Sequence, residues 1–117
     1  MNGIITANGT KGVSASVGVT GAGPGAGGGI YITCRNFAGT NAAASISAKG
    51  GDGGASDGAP GGGGGRIAVV YRRTLSYSGT FSVTNGATTG GGYSGMTPGT
   101  LVLRFLPPPK GTVLLVK

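Results

Sequence analysis

At 117 residues the chain has room for one domain. Its 29 glycines far exceed the usual ~7 % share, and their irregular spacing excludes a collagen triple helix, which needs glycine at every third position. Nine Lys and Arg against two Asp give a net charge of +7, a balance suited to acidic partners. His and Glu are absent, so a serine nucleophile has no histidine base and paired-acid hydrolysis has only Asp52 and Asp57 to draw on.

In chain order, three copies of one unit can be written down, at approximately 4–35, 45–73 and 81–105, followed by a C-terminal strand at 112–117. The first copy opens with Ile4-Ile5-Thr6, crosses a small-residue arm that ends in Gly27-Gly28-Gly29, and enters Ile30-Tyr31-Ile32-Thr33-Cys34-Arg35. The second opens with Ser45-Ile46-Ser47, and ten of its sixteen residues from Gly50 to Gly65 are glycine before Arg66-Ile67-Ala68-Val69-Val70-Tyr71 begins. The third opens with Phe81-Ser82-Val83, crosses Gly90-Gly91-Gly92 and enters Thr100-Leu101-Val102-Leu103-Arg104-Phe105. Order, spacing and residue type agree three times.

The second strand of each copy alternates with period two. One face carries Ile30, Ile32 and Cys34, then Ile67, Val69 and Tyr71, then Leu101, Leu103 and Phe105. This is the expected core face, with Ile32, Val69 and Leu103 forming a column. The lone Cys34 reads as a small apolar side chain on that face. Helix signals are nearly absent, and the alanine cluster within Ala38–Ala48 is bounded by Gly39 and Gly50. The predicted fold is therefore all-β: a single glycine-rich repeat domain built as a β-solenoid-like stack of about three coils with glycine-rich arms. Each arm must return one ladder step, ~4.8 Å, from where it left. Glycine serves both the sharp reversal and the close approach of backbones. Leu106-Pro107-Pro108-Pro109 breaks the ladder, and the strand at 112–117 is expected to cap the stack or to be exchanged with a neighbouring chain.

Candidate functional residues are few. Arg35, Arg72, Arg73 and Arg104 lie near corresponding strand ends and, with Tyr93 at an arm tip, form the expected binding surface. Their chemistry suits an acidic glycan or a cell-surface receptor. No recognised nucleic-acid motif accompanies them. Asp52 and Asp57 are the metal candidates, but calcium takes six to eight oxygens, so neither metal nor cofactor is expected. Gly23-Pro24-Gly25-Ala26-Gly27-Gly28 fits the dinucleotide spacing but leads into a strand rather than a helix, which rejects it. No window approaches a membrane span. Met1-Asn2-Gly3 opens no signal peptide, so an export signal is expected to lie outside this chain.

Gly28-Gly29-Ile30-Tyr31-Ile32-Thr33, Ile46-Ser47-Ala48-Lys49-Gly50-Gly51 and Gly61-Gly62-Gly63-Gly64-Gly65-Arg66-Ile67-Ala68-Val69 resemble glycine-rich segments of bacterial surface and secreted β-helix proteins. The three arms are also similar to the glycine-rich motifs of phage tail-fibre tip adhesins. These resemblances imply an extracellular or cell-surface setting and carry over no catalytic residue. The expected role is a non-enzymatic structural or self-assembling segment that contacts neighbouring repeats or further copies. The alternatives are a receptor- or glycan-binding adhesin that uses its arm tips, and a fragment of a polysaccharide-lyase-like helix whose active residues lie elsewhere.

Overall fold

The structure, a computed structural model, describes residues 1–14, 21–54, 59–89 and 96–111. Among these it is all-β, with strands β1 (Ile4–Thr6), β2 (Gly29–Gly39), β3 (Ser45–Ser47), β4 (Arg66–Tyr77), β5 (Thr80–Ser82) and β6 (Thr100–Phe105). The strands form two parallel three-stranded sheets, ordered β1-β3-β5 and β2-β4-β6. The chain therefore visits the sheets alternately, one strand of each per sequence copy.

Register follows the repeat. Ile30 pairs with Ile67 and Ile67 with Leu101; Ile32 pairs with Val69 and Val69 with Leu103; Cys34 pairs with Tyr71 and Tyr71 with Phe105. In the other sheet Ile5, Ile46 and Phe81 align. In-register pairing of like side chains keeps one face of each sheet apolar, and a one-residue slip would turn it outward. The faces meet in a cluster of Phe37, Ile46, Ala48, Ile67 and Val69, with Ile30, Ile32, Cys34, Tyr71, Phe81 and Val83 packed against it. Burial is concentrated in the middle strand: Ile67 and Val69 are fully buried, whereas Leu101, Leu103 and Phe105 on the same face are 42 %, 41 % and 51 % exposed. The expected column exists, but among the described residues β6 is an edge strand with nothing paired on its far side.

β2 and β4 run further than their apolar alternation. A register shift between Cys34 and Asn36 sets Arg35 against both Arg72 and Arg73, after which Asn36 pairs with Thr74 and Phe37 with Leu75. Beyond this bulge Phe37, Tyr77 and Phe81 form an aromatic cluster, with ring centroids 5.1 Å apart for Phe37–Tyr77 and for Tyr77–Phe81. Such contacts contribute about 0.5–1.5 kcal/mol beyond area burial. Asn2 ties the start of the chain to this end, its Oδ1 accepting from the Thr40 and Asn41 amides at 2.9 and 3.2 Å.

The other half of the molecule is made of backbone. From the short strands the chain continues outward as segments 7–12, 48–53 and 83–87 and returns as 24–28, 61–65 and 97–99. Gly9 and Gly12 donate to Lys49 and Asp52; Gly25 and Gly28 donate to Thr10 and Ala7; Gly50 and Gly53 donate to Thr84 and Ala87; Gly62 and Gly65 donate to Gly51 and Ala48. Amides three residues apart thus bond the same neighbour. That is the three-residue period of an extended polyproline-II-like helix, not the two-residue period of a strand. Segment 48–53 is bonded to both other outgoing segments and to the returns 24–28 and 61–65. One run of bonds, Gly86 to Gly62 to Gly51 to Gly25 to Thr10, crosses all three copies at 2.8–2.9 Å.

At its closest approaches this packing leaves no space for side chains. A Cβ on Gly51 would overlap the Thr10 carbonyl oxygen, one on Gly62 that of Gly25, and one on Gly86 that of Gly51. Gly51, Gly62 and Gly86 each have a φ that other residues can adopt, so close approach alone excludes a side chain there. The arm tips, including Tyr93 and Asp57, lie outside the described residues.

Two outcomes follow from this packing. Gly62→Ala should lower unfolding free energy by about 2–4 kcal/mol, because the obstructing atoms are backbone. Gly23→Ala, where nothing lies within 4 Å of the added Cβ, should be neutral or slightly stabilising; urea melts of the pair measure the contrast. Separately, the Tyr77 hydroxyl is buried without a hydrogen-bond partner, and burial raises its pKa above 10.0. The unfolded chain ionises this group first, so its contribution is intact below about pH 10 and lost as pH rises through the folded value. Tyr77→Phe should therefore change neutral-pH stability by less than about 1 kcal/mol and flatten the alkaline fall in melting temperature.

Candidate functional site: an arginine cleft at the bulge

In an unbroken ladder consecutive side chains point to opposite faces, so one of Arg72 and Arg73 would enter the core. The inward positions of β4 are Ile67, Val69 and Tyr71, and the next in sequence is Arg73. The bulge resolves this conflict by giving the strand one extra residue, and Arg35, Arg72 and Arg73 are all exposed. Re-aiming side chains at a bulge is a recurrent use of this irregularity.

After β6 the chain stays beside β4. The Leu106 amide donates to the Tyr71 carbonyl at 2.8 Å, which brings the proline run alongside the two arginines. Arg35, Arg72, Arg73, Pro108 and Pro109 together line a cleft of about 340 Å³. None of the three guanidinium groups has an ion pair or hydrogen bond within the described chain. The one described carboxylate, Asp52, lies in the glycine-rich body, where its Oδ1 accepts from the Ala87 amide at 2.8 Å. Three like charges thus share one cleft without a counter-charge among the described residues. Arginine presents five donors and no acceptor, so these three side chains can bind anions.

The structure brings three of the sequence-selected residues together. Arg104 does not join them: it pairs with Val70, two residues before Arg72, on the outer face. The arginines therefore form a local cluster rather than a stripe along equivalent ladder positions. Pro108 and Pro109 were absent from the sequence-selected set, because their proximity depends on where the chain runs after β6. Tyr93, Asp57 and the C-terminal strand at 112–117, expected as a cap or exchanged strand, lie outside the described residues. The described residues contain no group of three or more potential metal ligands. No helix among them is long and apolar enough to cross a membrane.

Asp52 accepts a hydrogen bond from the Ala87 amide. Asp52→Asn, which keeps an oxygen acceptor, should melt close to the parent, whereas Asp52→Ala should lose about 1 kcal/mol; thermal melts with and without calcium should show this difference unaltered by the ion. No protein-family model matches the sequence, no curated protein is significantly similar to it, and no solved structure matches its fold.

Proposed function

We propose that the chain is a β-solenoid segment in which each copy forms one coil, and that it serves as a non-enzymatic structural element of an extracellular assembly by stacking on further copies of the same unit. The supporting observation is the character of its two ends. At one end β6 leaves Leu101, Leu103 and Phe105 about half exposed, and at the other Ile4 and Ile5 are 69 % and 36 % exposed. β2 and β6 are opposite edges of one sheet, β1 and β5 of the other.

A second unit placed with its β2 beside β6 would set Ile30 against Leu101, Ile32 against Leu103 and Cys34 against Phe105. Those are the same positions that pair within the chain. An open parallel edge with an apolar face is a template for strand addition, and a head-to-tail contact of this kind propagates rather than closes.

Shape and surface agree with this reading. The molecule measures 83 × 27 × 21 Å with a radius of gyration of 19.8 Å, against ~13 Å for a compact domain of this length. Its accessible surface is 7494 Å², against ~5,700 Å² for a compact monomer of its mass. The long dimension exceeds the ~36 Å that an eleven-residue strand spans, so it includes the glycine-rich body as well as the sheets. The likeness to bacterial surface β-helix segments supports the extracellular setting.

Sedimentation from micromolar to millimolar concentration tests the proposal. The parent chain should associate progressively, and more so at higher salt, where its +7 charge is screened. Leu103→Lys should stay monomeric with an unchanged circular dichroism spectrum, since an edge lysine opposes strand addition. A folded parent chain that remains monomeric throughout would overturn the reading.

A further inference from the structure

We infer that the cleft between the bulge and the proline run binds the sulfate or carboxylate groups of an acidic polysaccharide. This assignment is independent of whether the units stack. It rests on four observations: three exposed arginines converge there, none is engaged by another described group, the backbone irregularity exposes two consecutive arginines, and one wall is apolar. Guanidinium forks match planar or tetrahedral oxyanions bidentately, so groups spaced along a sugar chain can engage several arginines at once. The proline rings offer a rigid apolar wall to the C–H face of a sugar ring. About 340 Å³ falls within the ~300–1,000 Å³ of small-ligand clefts.

A nucleic acid carries anionic groups as well, but single-stranded binding sites pair a basic track with aromatic platforms for the bases. None of the described residues lining this cleft is aromatic. Tyr71 and Phe105 belong to the inward column and pack against each other at 5.7 Å. The arginines are clustered at one corner of the sheet rather than drawn out into a track. Both differences favour the sugar chain.

The test is calorimetric titration of the full chain with three probes: a sulfated heparin octasaccharide, an oligogalacturonate and single-stranded DNA of matched charge. Arg72→Gln and Arg35→Gln remove charge from the cleft while keeping long polar side chains. Arg66→Gln removes the same charge from an exposed position at the other end of β4, and circular dichroism verifies that each variant folds. At least one acidic oligosaccharide should bind saturably. Each cleft variant should weaken that binding about tenfold, the loss of one charge-assisted hydrogen-bonding partner, while Arg66→Gln should change it less than twofold. Absence of binding, equal weakening by Arg66→Gln, or DNA binding at least as tight with the same variant sensitivity would each overturn the assignment.

Discussion

The structure depends on backbones approaching closely enough that no side chain fits between them. In the glycine-rich body an amide donor and a carbonyl acceptor from adjacent segments replace the apolar contacts that fill an ordinary core. Gly50, Gly51, Gly53, Gly61, Gly62 and Gly86 are buried, so they form interior rather than loop. Ordering glycine costs about 0.5–1 kcal/mol more than ordering alanine. The body offsets this by satisfying its buried amides in several directions, as unpaired ones would be expensive. A strand bonds only within the plane of its sheet, whereas the three-residue period lets segment 48–53 bond its neighbours above, below and alongside.

The glycine-rich body and the paired sheets are continuous. The Ala7 amide donates to Ser47, and the Ala48 amide to Ser82, at 2.8 Å, so the ladder of the short strands runs directly into the packed segments. Asn8 reinforces the junction, its Oδ1 accepting from the Lys49 amide and the Ser47 hydroxyl at 2.8 and 2.7 Å. The apolar cluster and the glycine packing therefore fix the same register from opposite ends of the molecule. With so few large side chains buried, neither region contains a conventional core. The result is a slab with broad ends, which makes the exposed edge columns a large share of its surface.

The strand alternation was legible because apolar residues recur every second position, and the register because three copies align at Ile30, Ile67 and Leu101. The core face followed from the same pattern. Its depth did not, because Leu103 and Val69 have equivalent sequence positions but one lies on an edge strand. The bulge was hidden as well: one residue opposite two is visible only once Cys34 is known to pair with Tyr71 and Asn36 with Thr74. The strand extensions to Gly39 and Tyr77 carry mixed polar residues and no clean alternation. Glycine density indicated arms, but turning and close approach call for the same residue, and only coordinates reveal that close approach governs the described positions. The arginines were selected from sequence, whereas their convergence, and the separation of Arg104 from them, depends on the bulge.

Amide hydrogen exchange at the glycines measures the central claim most directly. If the arms are a hydrogen-bonded interior, the amides of Gly51, Gly62 and Gly86 should exchange as slowly as those of Ile67 and Val69, and with them in one cooperative opening. Rapid exchange of those glycine amides alongside protected strands would show that the arms are loops hung on two small sheets, and would contradict the account.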